Sequence, residues 1–459
     1  MIYRSLEPTY FLNLFKARKN TWVNILAATL LIALVSSCST DKKIINKNAT
    51  LAFIDINPIT KDKNLKDVVI TIPQAINSNA WFGNNGDHNQ IIENFSFDIN
   101  LRKKDVDDRS INVGYNFVKN SQMVFSPIIA ENKIYVLDNN GNLYAKNLLS
   151  YKTIWKTKVS SGRFKRNFDG GRMSYFDGKI FATNGYNLIL CFDAENGKIL
   201  WQKTLSSILI SAPILDENQL FLTTNNNQTY SLAASDGAIN WIHSGISKAT
   251  AILGSANPVF YKNYVISSYS SGEIYALNKK DGTLSWVYDL NLNKISNSDF
   301  ILNDIDATPI IKNNIAYAIG NGGLMMAIKV DDGQIIWQKQ LASIANFWIA
   351  GDFIYLINND NKLICLHKKT GGIVWFRQLK EYLNDKKSSN RIIYNGIIMA
   401  GDNLLMTNSN RELIIISPLD GKIINTKKLS GKVFHSPIVV NKKLYLYLVN
   451  KFSTSLSVI

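Results

Sequence analysis

Residues 211–244 read SAPILDENQLFLTTNNNQTYSLAASDGAINWIHS, and this stretch decides the fold. It divides into four short runs, Ser211–Leu215, Gln219–Thr224, Thr229–Ala233 and Ile239–Ser244, each reading as a strand. Pro213 stands at the opening of the first run, where a strand tolerates proline because no ladder N–H is lost. Asp236-Gly237 separates the last two runs, and such a dipeptide favours positive φ and a tight hairpin turn. Trp241 anchors the fourth run.

The same features recur on both sides. Trp155, Trp201, Trp241, Trp286, Trp337 and Trp375 follow one another at 46, 40, 45, 51 and 38 residues, and Asn425 falls 50 residues further on in a segment with the same flanks. Four residues before these anchors stand Gly197, Gly237, Gly282, Gly333, Gly371 and Gly421, with Tyr151 as the exception. Ten residues before the tryptophans come Ala145, Cys191, Ser231, Ala276, Ala327 and Cys365, all small. Pro127, Pro213, Pro258, Pro309 and Pro437 open the units. A period of 20–50 residues marks a repeat architecture. Four antiparallel strands per period, repeated radially, make a β-propeller blade, whereas four-stranded meanders stack poorly into a solenoid. The small residue and the Trp are expected to meet across neighbouring blades, a bulky ring facing a shallow wall.

Seven units are anchored from Trp155 to Asn425, and Lys432–Ile459 holds three further strands, His435–Val440, Leu444–Val449 and Thr454–Val458. An open edge calls for a fourth strand. Asn94–Asn100 alternates and precedes the first full unit, so it is expected to close an eighth blade, with Trp81 and His88 just outside. The fold expected is all-β, an eight-bladed propeller over residues 81–459, its ring closed by an N-terminal strand.

Ahead of the propeller lie two other regions. Lys16, Arg18 and Lys19 precede an apolar run, Ile25–Val35, too short to cross a bilayer, followed by Ser36-Ser37-Cys38. The leader is long and carries Glu7 and Pro8. A cysteine after small residues resembles a bacterial lipoprotein signal, which implies a cut before Cys38 and acylation of that residue. Several acyl chains make a stable anchor. Ser39 follows instead of the aspartate that holds many lipoproteins at the inner membrane, so the resemblance implies the periplasmic face of the outer membrane. Residues 1–37 are thus expected as the signal and 38–80 as a tether.

Composition narrows the chemistry. The 459 residues are 46% hydrophobic and 19% charged, which excludes a disordered chain. The net charge is +16, but the basic pairs are scattered, as at Lys279-Lys280, Lys368-Lys369 and Lys427-Lys428, without the aromatic interleaving of a nucleic-acid surface. Three cysteines make no disulfide framework, and Cys191 and Cys365 fall in units half a ring apart. His88, His243, His367 and His435 show no metal-ligand spacing, and His435 is placed where it can face the channel. No catalytic residue, metal site or phosphate loop emerges from the residues.

The repeat of small residue, turn glycine and tryptophan resembles that of pyrroloquinoline quinone (PQQ) alcohol dehydrogenases, and also that of the BamB family of lipoproteins in the outer-membrane β-barrel assembly machinery. The quinone enzymes use adjacent cysteines, and this chain has none adjacent. The leader and the stretch Asp304-Ile-Asp306-Ala-Thr-Pro309 fit the BamB family. That resemblance implies a non-catalytic scaffold without cofactor. Its partners are BamA, other subunits of the machinery and nascent outer-membrane proteins. It marks Asp304 and Asp306 as contacts for BamA, with Ile252 and Leu253 on the preceding loop. Leu253 departs from the family, which places an Arg there. A divergent quinone-dependent dehydrogenase and a periplasmic ligand-binding propeller are the alternatives.

Overall fold

The computed structural model describes residues 59–82, 93–97, 111–114, 126–138, 141–158, 171–246, 256–291, 304–384, 389–433, 435–449 and 454–458. The compact unit Ile59–Ile459 is built of eight antiparallel sheets, the blades of a propeller. Blade three consists of Ile214–Asp216, Gln219–Thr223, Gln228–Ala233 and Ile239–Ser244, paired in that order and within a few residues of the runs expected. Blades one to seven all have this four-stranded plan, and a small hairpin, Tyr382–Asn384 with Ser389–Arg391, stands between blades six and seven.

Burial orients each blade. The first strand is short and buried or half-buried, the two middle strands are buried almost throughout, and the fourth is largely exposed. First strands of neighbouring blades touch, so they line the axis and the fourth strands form the rim. The core lies between sheets, in apolar clusters that each join adjacent blades: one and two, two and three, three and four, four and five, five and six.

The rim is held by a repeated contact. Each small residue faces its Trp directly across two strands of one sheet, as Ala145 to Trp155, Ser231 to Trp241 and Ala327 to Trp337. This corrects the expectation that the two meet across blades. What meets the ring across the interface is the turn glycine of the next blade. A Cβ placed on Gly237 would lie 2.8 Å from the Trp201 ring, and on Gly282 or Gly371 2.6 Å from Trp241 or Trp337. Those glycines also hold φ near +70°, which side chains resist. Each indole then donates into the same turn: Trp201 Nε1 to the Ala234 carbonyl (3.0 Å), Trp286 to Val330 (2.8 Å), Trp375 to Pro418 (3.0 Å). The turn itself is longer than a two-residue hairpin. In blade two the Gly197 N–H reaches back to the Asp193 carbonyl, and Asp193 Oδ1 accepts from the N–H groups of Glu195 and Asn196.

Blade eight differs. Its strands Ile438–Val440, Lys443–Val449 and Thr454–Val458 are those expected, with Lys432–Val433 added on the second. The strand beside Thr454–Val458 is Ile111–Gly114, not the expected stretch from Asn94. Residues 98–100 of that stretch lie outside the described residues. Phe95 instead makes parallel bridges to Ile76 and Ala400, its N–H bonded to the Met399 carbonyl at 2.9 Å. The physical reason is burial: Phe95 is 1% exposed and packs against Trp81 and Trp348, so its ring is satisfied inside blades six to eight and not on a rim strand.

Residues 59–80, expected within the tether, run against the propeller. Asp62 N–H donates to the Ile373 carbonyl of blade six, Asn441 of blade eight donates to the Ser78 carbonyl, and Trp81 exchanges two backbone bonds with Ile129 of blade one. Glu93 adds an ion pair with Lys312 of blade five (2.5 Å) and accepts from the Gly351 N–H of blade six (2.7 Å). The N-terminal segment is therefore a clasp from blade five round to blade one.

Candidate functional site

The first strands open onto the axis, and the residues just before them form a polar ring. Ala212, Asn257, Thr308 and Asn346 occupy equivalent positions in blades three to six, two residues before each strand. Ala212 N–H donates to Asn257 Oδ1 (2.8 Å), Asn257 N–H to Thr308 Oγ1 (3.1 Å), and Thr308 N–H to Asn346 Oδ1 (2.9 Å). Side chains so placed satisfy backbone N–H groups that the short strands leave unpaired near the axis. At Gly396, in blade seven, the next ring position has no side chain, and a Cβ there would meet Ser436 Oγ and Asn346.

Asp304 and Asp306 lie on the connection into blade five, beside this ring. Asp304 is 2% exposed, and its carbonyl accepts from the Asn321 N–H at 3.0 Å. Asp306 is partly buried, with Oδ1 enclosed and without a hydrogen-bond partner. Burial first and the neighbouring Asp304 charge second raise its carboxyl, Arg172 pulls it back, and the balance brings it to about 7. Sequence reasoning takes a carboxylate on a long connection as solvated; here the connection turns inward to feed the first strand.

Arg172 is the residue that sequence reading missed. It precedes Met173–Phe176, the first strand of blade two, and since Ser174 faces Phe181 as Ile214 faces Phe221, it holds the ring position of Ala212, while Met173 stands where blades one, three, four, five and eight carry proline. That gap in the proline column was the available signal. Its backbone N–H bonds Thr183 Oγ1 (2.9 Å), and its Nε donates to the Ile210 carbonyl of the connection into blade three (3.1 Å). Desolvation lowers its pKa and the Asp306 charge opposes that shift, so the two groups sense each other although they belong to blades two and five. A cation from blade two and a carboxyl from blade five are thus close enough to influence each other's ionisation.

The other residues singled out from sequence fall elsewhere. Ile252, Leu253, Cys38 and His88 lie outside the described residues. The six tryptophans belong to the rim contacts above. Cys191 and Cys365 are free and buried, and burial pushes the Cys191 thiol up to about 12, far from reactivity at neutral pH. His243 stacks obliquely on Tyr275, His367 Nδ1 sits 3.2 Å from Thr370 Oγ1 in a turn, and His435 lies by Tyr447. Among the described residues no three His, Cys, Asp or Glu side chains converge as a metal site.

Known proteins are similar to this chain in sequence and fold. A family model described as outer membrane protein assembly factor BamB matches residues 139–377. The outer membrane protein assembly factor BamB of Yersinia pestis is 24% identical over 324 residues, covering 68% of this chain and 79% of its own length. Among solved structures, BamB from Moraxella catarrhalis superposes with a TM-score of 0.61 at 17% identity, over 76% of this chain and 99% of its own. A europium-containing methanol dehydrogenase superposes at 0.59 with 12% identity, over 81% of this chain and 89% of its own. Likeness at such identities shows a shared fold.

Proposed function

The chain belongs to the family of outer membrane protein assembly factor BamB, and from that premise we propose that it is a non-catalytic, lipid-anchored scaffold that binds BamA. The observation that carries the reading is the family match across blades one to six, which includes the connection holding Asp304 and Asp306. Family membership supports a role in outer-membrane assembly. In this reading Cys38 bears the acyl anchor and holds the propeller at the periplasmic face of the outer membrane.

Within each blade the strands run from axis to rim in antiparallel order. The connections between blades therefore share one face of the ring, and the turns joining third to fourth strands share the other. Asp306 and Arg172 belong to the connection face, which in this reading is the surface offered to BamA, with Ile252 and Leu253 as further contacts. Fourth strands present a free edge with exposed Leu200, Ile239, Leu284 and Ile424, suited to adding a nascent outer-membrane strand by edge pairing.

Charge reversal tests the contact. Asp304→Arg with Asp306→Arg is expected to weaken co-purification with BamA by about tenfold or more, because like charge facing a matched surface is repelled. Because Asp304 is buried, Asp306→Arg alone is measured alongside, with circular dichroism reporting the fold. Unchanged recovery of BamA with both folded variants rejects the assignment. The methanol dehydrogenase likeness motivates the second reading, a quinone enzyme. Incubation with PQQ and Ca²⁺ separates the two, since a retained chromophore contradicts the scaffold.

A further inference from the structure

The N-terminal segment does more than clasp the ring, for it builds one wall of a cleft. Asp62 starts the short 3₁₀ turn Lys63–Leu65, its Oδ1 accepting from the Asn64 N–H at 2.9 Å, while its own N–H is held by Ile373 at 2.8 Å. The segment lies so close to blade six that a Cβ on Gly372 would meet Asp62 Oδ2 and Leu65 at 2.6 and 2.7 Å. Between Lys61–Ile70 on one side and Val374, Trp375, Arg377, Leu419 and Asp420 on the other lies a cavity of about 830 Å³.

Its lining is amphiphilic. Leu65, Val68, Ile70, Val374 and the ring of Trp375 supply an apolar floor, and Val69 (79% exposed) and Leu419 (54%) project from its lip. Lys61, Lys63 and Lys66 are exposed on the rim, and among the described residues no carboxylate pairs with them. Of the two acids that line the cleft, Asp62 caps its turn and Asp420 pairs with Lys422 at 2.7 Å, while the exposed Asp67 beside Lys66 is not part of the lining. The cleft therefore presents cations above an apolar floor. Leu419-Asp420 stands in a third-to-fourth-strand turn, so the cleft opens on the face opposite the Asp306 connection.

We propose that this cleft binds the surface of an anionic phospholipid membrane, the lysines taking headgroup phosphates and the apolar floor and lip taking the upper acyl region. A small soluble anion has no use for the apolar floor, and an apolar peptide has none for the cations; an anionic lipid matches both. Position agrees. Cys38 precedes Ile59 by about 20 residues, a reach of at most ~70 Å, and the cleft is built by the first residues of the compact unit. The positional part rests on the anchored reading above; the chemical part does not.

The test uses residues 39–459, which keep the whole compact unit and lack the cysteine, so failure of acylation cannot mask the result. Co-sedimentation with vesicles containing phosphatidylglycerol is compared with pure phosphatidylcholine vesicles. Binding is expected to the anionic vesicles, to fall with added salt, and to weaken by about tenfold or more in Lys61→Glu/Lys63→Glu/Lys66→Glu. Val69→Asp reduces it through the lip. A control reversing Lys152, Lys158 and Lys198, exposed on blades one and two, changes net charge equally and is expected to retain binding. Equal binding by the groove variant and the wild type overturns the proposal. So does equal loss in the control, which assigns any attraction to diffuse charge, or equal binding to neutral vesicles. An acidic peptide displacing nothing from vesicles supports it; binding of such a peptide by protein that does not bind vesicles rejects the lipid. Separately, Cys38→Ser in the full chain is followed by membrane fractionation: release supports the anchor, and unchanged membrane association refutes only the anchor.

Discussion

The rim between blades one and seven and the seam at blade eight solve one packing problem in two ways. From blade one to blade seven, each of six interfaces repeats a Trp ring against a turn glycine, with the indole N–H bonded into the turn. At the seam the device is missing: Asn425 stands where blade seven would carry Trp, and the rim strand of blade eight is Ile111–Gly114. Correspondingly Tyr151 replaces glycine in blade one, holding φ at 59° and packing its side chain against the apolar cluster of the seam. The core changes character too. Elsewhere apolar clusters join two blades, whereas one cluster gathers blades six, seven, eight and one together with Trp81, Phe95 and Phe97. The lesson is that glycine here is a consequence of the neighbouring tryptophan, and that a ring whose ends must be joined replaces a local lock with a long-range clasp.

Removing a ring on each side tests that equivalence most severely. Trp286→Ala, in a regular interface, is expected to lose about 3–5 kcal/mol in urea denaturation, and Trp81→Ala at the seam a similar amount. A loss below about 1 kcal/mol for Trp81→Ala means the clasp does not hold the seam.

The axis departs from both regions at one titratable residue. In the unfolded chain the Asp306 carboxyl ionises near 3.8; in the folded chain it does so only at about 7. Across that window the folded state retains the proton, so wild-type stability falls as pH rises from about 4 to about 7 and then levels off. Asp306→Asn lacks that loss. Its stability relative to wild type is expected to rise between those limits by up to about 4 kcal/mol. Parallel pH profiles for the two proteins would show that the axis is as well solvated as the rim.

A smaller effect sharpens the glycine argument. Gly333→Ala adds a methyl 2.8 Å from the Trp286 ring at φ +74°, and about 1–3 kcal/mol is expected to be lost. Combining it with Trp286→Ala should cost less than the sum, because the clash partner is gone, leaving the positive φ alone. Full additivity would sever glycine from tryptophan as cause and effect.

Much of this is legible in the residues. The Trp and Gly columns locate the fourth strands and turns, and Asp193 or Asn278 at the turn start marks the side chains that cap them. The period finds the small residues but points to the wrong partner surface. Spacing alone does not say whether two positions face each other within a sheet or between sheets. The stretch Asn94–Asn100 attracts the closing role because it alternates, while Ile111–Gly114 is only four residues long and takes its place through pairing with Thr454–Val458, more than 300 residues away. Charge misleads at Asp304, whose burial no local pattern records.

The sequence by itself determined the blade, since a strand, its turn and its anchor are set by residues within one period and by φ preferences and burial that act locally. It also determined the number of blades, because each period is one blade. Only the tertiary structure decided how the ring closes, which carboxylates lie by Arg172, and that Lys61–Ile70 wall a cleft. Those contacts join residues dozens to hundreds of positions apart, and their energy exists only once the ring has brought the ends together.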